Sequence, residues 1–432
     1  MRKKAMLPRW PSRRSILVGG TVGVLLATIV GTAIAASGPK PTGPANVTIG
    51  TKCGQSRPVG PKNRNSALFR KMPKQLQDIY HSYPDNIVAS PWAKTKIKAK
   101  PPWKIGYITI GVSNPYQNNV LTQLKKEFAI AKKAGLVTGQ LVTYIPPSLS
   151  ASTAAGEISA IKRMISQGVD AIIMVPIDSV AEAPAMEEAG RKSNVPIILG
   201  DVPPVPGTKW TVSPWTQNQV EADAGTLGII NKKGGGEILI VRGIPGNQND
   251  VVLYNQKIAD LKNCPNIKVA ATLFGQWDGG TAKTVVSQYL AANPGKKIAG
   301  VLNDGGMAAG IIQAFESRGV EVPPVAMEQC YAGDLSWWLE RIDTYETVAG
   351  CINGFQGGYI YMNTALRVLA NKGPKYNILS MPAVAIDTTN LKFYARPNVP
   401  ITSNDELPGP KTAWCDNKCL DKYFLKAGPA TK

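Results

Sequence analysis

Residues Gly168–Ser179 read GVDAIIMVPIDS, and the fold turns on them. Ala171–Val175 is an unbroken apolar run between a turn and a polar exit. A short apolar run without alternation suits a strand buried on both faces, as in a parallel sheet covered by helices. Its flanks agree, since Ala151–Gln167 and Val180–Ser193 both read as helices. Upstream lie a strand run over Ile105–Val112, a helix over Tyr116–Ala134 and a strand over Gln140–Ile145. Downstream come strands over Pro196–Gly200 and Trp210–Val212. The alternation then restarts with a helix over Asn218–Asn231. Strands follow at Glu237–Val241, Val269–Leu273, Ala299–Leu302 and Val325–Met327, with helices between, then a last strand near Val348–Ile352 and a helix over Gly357–Asn371.

Strands alternating with helices predict an α/β chain with parallel sheets. Two similar runs predict two doubly wound lobes joined by a three-strand hinge. Lobe 1 is expected from residues 103–214 and 354–379, and lobe 2 from 215–353 and 380–398. The chain is expected to cross near Ser213–Thr216, Ile352–Gly354 and Ile378–Pro382. Residues 36–102 read as a proline-rich extension with one helix over Ser66–Tyr80, and residues 399–432 as a second extension carrying Cys415 and Cys419.

Residues 1–35 read as an export signal. Arg2, Lys3, Lys4, Arg9, Arg13 and Arg14 precede an uncharged run, Ser15–Ser37, that ends in small residues. Cleavage is expected after Ala35, which places the mature chain outside the cytoplasm, in a periplasmic or equivalent compartment. Ser12–Leu17, SRRSIL, resembles a twin-arginine signal, with the general secretory route as the alternative. The run is also long enough to serve as a retained anchor.

The 432 residues carry a net charge of +20, yet the lysines are scattered and no recognition helix or aromatic RNA-binding motif is present. The expectation is no nucleic acid, and a basic surface apposed to an anionic envelope. Six cysteines in an exported chain favour disulfides. Cys330 follows one strand and Cys351 lies in the next, while Cys415 and Cys419 are neighbours in sequence. Those two bonds are expected, with Cys53 and Cys264 free or paired with each other. Neither a metal nor a cofactor is expected, because the cysteine pair lacks further ligands and the lone histidine, His81, lies in the extension. The same shortage of histidine argues against a triad hydrolase or zinc enzyme, and Gly234-Gly235-Gly236 precedes a strand where a phosphate loop would follow one.

Ligands of doubly wound sheets bind beyond the carboxyl ends of the strands. There this chain places Asn114, Tyr116 and Gln117, then Asp178, then Asp201. The second half adds Asn249, Trp277, Asn303 and Glu328. Carboxylates and amides match the donors and acceptors of sugar hydroxyls, and aromatic rings match their apolar faces. The bland alternative for each is a helix cap or turn. Asp201 and Glu328 also raise a carboxylate-pair glycosidase as a rival reading.

From Lys104 to Ala395 the chain resembles the type I, ribose-binding-like periplasmic sugar-binding proteins. The resemblance rests on Ile110–Tyr116, Gly168–Ser179, Asn194–Asp201 and Val301–Asp304. It implies a monomeric, non-enzymatic solute-binding protein of an ABC-type importer, with a sugar or polyol as ligand and a membrane permease as partner. A sensor subunit serving a receptor kinase or chemoreceptor is the alternative. It also implies ligand contacts at Asn114, Tyr116, Asp201, Gln217, Trp277, Asn303 and Glu328, and more loosely at Asn249 and Asn353. The family's arginine after the fourth-strand aspartate is Val202 here, and Gln117 replaces a usual second aromatic.

Overall fold

The computed structural model describes residues 52–55, 70–71, 87–112, 114–205, 207–216, 218–381, 384–406 and 415–430. The export signal, the helix expected over Ser66–Tyr80 apart from residues 70–71, His81 and Gln217 lie outside them.

The first half alternates strand and helix. β1 (Ile105–Thr109), β2 (Val142–Tyr144), β3 (Ala171–Val175), β4 (Ile197–Leu199) and β5 (Thr211–Thr216) are interleaved with α1 (Pro115–Lys133), α2 (Ala154–Ser166) and α3 (Ser179–Ser193). Every residue of β1, β3 and β4 is buried, as strands covered on both faces require. Each helix starts where a polar side chain takes a free N–H of the first turn. Asn114 accepts from Tyr116, Thr153 from Gly156 and Asp178 from Ala181.

The second half repeats the plan with α4 (Asn218–Lys232), β6 (Gly236–Arg242), α5 (Gln248–Leu261), β7 (Ile267–Phe274), α6 (Gly279–Ala292), β8 (Gly300–Asn303), α7 (Ala308–Glu316), α8 (Ala332–Leu339) and β9 (Ala349–Cys351). Then come α9 (Gly354–Leu369), β10 (Ile378–Met381), β11 (Val384–Ile386), α10 (Leu391–Tyr394) and α11 (Asn417–Asp421).

One sheet has the order β10-β5-β4-β3-β1-β2, all parallel. The other runs β7-β6-β8, also parallel. Bridges from Val301 to Val325 and from Met327 to Ala349 carry it on to β9, which pairs antiparallel with β11. Val325–Met327, expected as a strand, therefore contributes only bridges. Its Val325 N–H donates to the Tyr345 hydroxyl instead of to a ladder, and two prolines precede it. Each sheet carries an apolar layer on both faces. Because α9 packs on α1 and β10 pairs with β5, residues 354–381 belong with the first sheet. The chain passes between lobes after Thr216, after Cys351 and after Met381.

Both terminal segments touch both lobes. Cys53 is bonded to Cys264 of the second lobe. Farther along, Trp92, Ile97 and Trp103 are buried in the first. At the other end, Ala332 N donates to Asp405 O (2.8 Å) and Gly333 N to Ser403 O (3.2 Å), on the second lobe. Next to them, Glu406 Oε2 accepts from Gly354 N (2.7 Å) at the start of α9, in the first. Tyr423 and Phe424 then bury against the first lobe, where Arg367 and Asp421 form an ion pair at 2.6 Å. Cys330–Cys351 and Cys415–Cys419 are also bonded.

Candidate ligand site between the lobes

The carboxyl ends of β1, β3 and β4 face those of β6 and β7 across a narrow cavity of about 30 Å³. The first lobe contributes Asn114, Tyr116, Gln117 and Asp201, with Ile110, Val175, Pro176 and Val202 as apolar wall. The second contributes Asn247, Asn249, Trp277, Gly305 and Gln329, and Ile352 lies at the crossing.

Asn114 works in two directions. Its Oδ1 caps α1 by accepting from Tyr116 N (2.8 Å), and its Nδ2 donates to Trp277 O on the opposite lobe (3.0 Å). Tyr116 is buried, its hydroxyl 3.2 Å from that of Tyr361 on α9, and burial together with the nearby Asp201 holds its pKa well above the usual value. Gln117 Oε1 accepts from the Thr109 hydroxyl (3.2 Å). Asp201 sits in the left-handed region at φ 59°, and burial pushes its carboxyl up to about 7. Asn249 Oδ1 accepts from the Trp215 indole N–H (3.2 Å). The Trp277 indole lies on Gly243, where an added Cβ would come within 2.2 Å of the ring.

Four expected contacts lie off the cavity wall. Asp178 caps α3, and Asn353 caps α9 by accepting from Gln356 N (3.1 Å). Asn303 is buried and donates to Ala326 O. Glu328 is fully buried beneath the site. Its Oε2 accepts from Gly305 N (2.6 Å), and its Oε1 lies 3.4 Å from Lys257 Nζ. Lys257 also pairs with Asp223 (2.6 Å) and Asp304 (2.5 Å), so one cation anchors three carboxylates.

Two polar side chains of the wall went unassigned. Asn247 caps α5 and donates to Ile177 O across the cleft (3.0 Å). Gln329 is buried, and its Oε1 has no hydrogen-bond partner among the described residues. The sequence signal for Gln329 is the period of two. With Glu328 turned into the lobe, its neighbour turns to the cleft.

Residues 105–372 match the periplasmic binding protein domain family. Over 172 residues the chain is 25% identical to the galactofuranose-binding protein YtfQ of Escherichia coli (strain K12), covering 38% of this chain. That match spans 54%, about half, of the curated relative's length. An ABC transporter solute binding protein from Thermobispora bispora DSM 43833 superposes with a TM-score of 0.62 at 19% identity, over 77% of this chain and 99% of its own. Another, from Actinobacillus succinogenes 130z with bound D-allose, gives 0.56 at 24% identity, over 68% and 100%. A third, from Bacillus halodurans C-125 with bound myo-inositol, gives 0.58 at 16% identity, over 68% and 98%. These structures share the two-lobed α/β fold. The family match runs from the first residue of β1 to beyond α9, taking in both sheets apart from β10, and the cleft between them. The chain belongs to the periplasmic binding protein family.

Proposed function

We propose that the cleft captures a neutral polyhydroxylated ligand, a sugar or polyol, outside the cytoplasm and hands it to the permease of an ABC importer. The make-up of the cavity wall carries this reading. It holds one carboxylate (Asp201), five amides (Asn114, Gln117, Asn247, Asn249, Gln329), one phenol and one indole, with no cationic side chain among its described residues. Amides both donate and accept, as sugar hydroxyls do. A carboxylate accepting hydroxyl protons contributes about 1.5–3 kcal/mol per bond. A ligand with its own carboxylate or phosphate would meet Asp201 in a poorly solvated site with no counter-charge. The similar proteins named for galactofuranose, D-allose and myo-inositol support the choice, since all three molecules are neutral.

A thermal-shift panel of sugars, polyols and sugar acids tests the reading, because a ligand that binds only the folded state raises the melting temperature. Neutral members are expected to raise it and sugar acids to leave it unchanged. Stabilisation by acids alone would overturn the assignment. With a ligand in hand, Asp201→Ala is expected to weaken calorimetric affinity about tenfold or more while preserving the fold. Uptake of labelled ligand should fail when the chain is deleted. Unchanged uptake would favour presentation to a receptor kinase instead. We further propose export with cleavage after Ala35, which mass spectrometry of the mature amino terminus would read. Arg13→Lys with Arg14→Lys should block export if the twin-arginine route is used.

A further inference from the structure

The pole of the first lobe opposite the cleft, where β1 and β3 begin, is built from lysine-rich stretches of chain, with Asp170 and the Arg367-paired Asp421 as acids among them. Residues 87–104 contain five lysines and no Asp or Glu. Lys94, Lys96, Lys98 and Lys100 are exposed and alternate with Thr95, Ile97 and Ala99, of which Ile97 is buried. Asn371 fixes Ile97 at both backbone groups (2.7 and 3.2 Å), which brings in Lys372 and Lys375. Leu425 N donates to Gly373 O (2.9 Å), which adds Lys426. Trp103 N donates to Leu136 O (2.8 Å), which adds Lys132 and Lys133 at the end of α1. Among the described residues, none of these lysines is ion-paired. The second lobe has the opposite balance, 11 Lys and Arg against 14 Asp and Glu over residues 218–353.

A groove opens among these lysines, walled by Ile97, Ala99, Trp103 and Leu369 and rimmed by Lys96, Lys98 and Lys100. Ammonium groups over an apolar wall fit a lipid headgroup, whose phosphate meets the rim and whose glycerol end meets the wall. A soluble polyanion has no use for the wall. Charge attraction decays within a Debye length of about 8 Å at physiological salt, so only this pole is drawn in, while the acidic lobe is not. No helix among the described residues is long and apolar enough to cross a membrane. We propose that this pole rests on an anionic lipid surface.

Hydrogen exchange on the full chain with vesicles tests the proposal. One set is phosphatidylcholine alone and the other is phosphatidylcholine with phosphatidylglycerol. The apolar run Ser15–Ser37 and the six basic residues before it bind vesicles alike in every variant, so the pole is read from protection local to it and from the difference between variants. Residues 87–104 and 422–428 should gain protection on the anionic vesicles only, and lose it at high salt. The variant Lys94→Gln/Lys96→Gln/Lys98→Gln/Lys100→Gln should lower the anionic excess in partitioning about tenfold or more. The control Lys232→Gln/Lys233→Gln/Lys268→Gln/Lys297→Gln, on the second lobe, should not, with both melting as the parent does. Equal partitioning of the two variants, equal protection on both vesicles, or protection by inorganic polyphosphate but not by vesicles would overturn it.

Discussion

Asp201, Trp277 and Cys330 all have left-handed backbones, at φ 59°, 56° and 52°, and each follows a strand or bridge end at the cleft. For residues with a Cβ that geometry costs on the order of 1 kcal/mol apiece. It turns the chain sharply enough to aim Asp201 and Trp277 into the cavity. Asp201 should give the site its pH profile. Burial raises its carboxyl to about 7, whereas ligand hydroxyls bind the ionised form, so binding expels a proton. Affinity for a neutral sugar is expected to fall as pH drops below about 7, by up to about tenfold per unit, and Asp201→Asn should flatten the profile. Calorimetry in buffers of different ionisation heat reads the released proton directly. At this scale the sequence was only partly legible. Asn114 and Asp201 could be found because a strand end fixes their place. Glu328 could not be told from Gln329, since one step along a strand exchanges inside for outside. Nor does sequence reveal that the partner of Glu328 is Lys257, 71 residues away.

Lys257 of α5 joins α4 through Asp223, the end of β8 through Asp304, and the segment after Val325–Met327 through Glu328. Lys257→Met would leave buried carboxylates without their cation. The expected loss is about 3–5 kcal/mol in urea denaturation, against a small change for an exposed lysine such as Lys268. Gly243→Ala acts on the site instead. The added methyl collides with the Trp277 indole, so tryptophan fluorescence and ligand affinity should change while most of the stability remains. Elements with a clean period were readable beforehand, as in β3 with α2 and α3. The helix α8, AGDLSWWL, was not, because it is apolar on nearly all sides and offers no polar face to set the phase. Residues 87–102, read as an extension, look irregular in sequence because residues far along the chain supply hydrogen bonds that a strand or helix would have supplied, as Asn377 does for Val88, Lys375 for Ser90 and Asn371 for Ile97.

Across the whole molecule, buried carboxyls tilt stability toward acid. Burial raises Asp201 and Asp334 to about 7 and Glu406 to about 8, and holds the Glu157–Glu182 pair high as well. Between the unfolded carboxylate range, about 4, and these raised values, the folded chain holds more protons than the unfolded one. Stability is thus greatest on the acid side and declines as pH rises through about 7 to 8. Melting temperature should be higher at pH 5 than at pH 8. The Cys53–Cys264 bond closes a span of 211 residues, for which loop entropy gives up to about 5 kcal/mol, measurable with Cys53→Ser/Cys264→Ser. The carboxyl-terminal segment has a different consequence, one of timing. Glu406, Tyr423 and Phe424 follow every cleft residue in the order of synthesis, yet they fasten the second lobe to α9 and complete the first lobe's apolar layer. Until they arrive, a nascent chain carries the cleft residues without the parts that hold its lobes together. A product that stops before Glu406 should therefore fail to retain ligand in equilibrium dialysis, so that a chain broken off early cannot sequester solute.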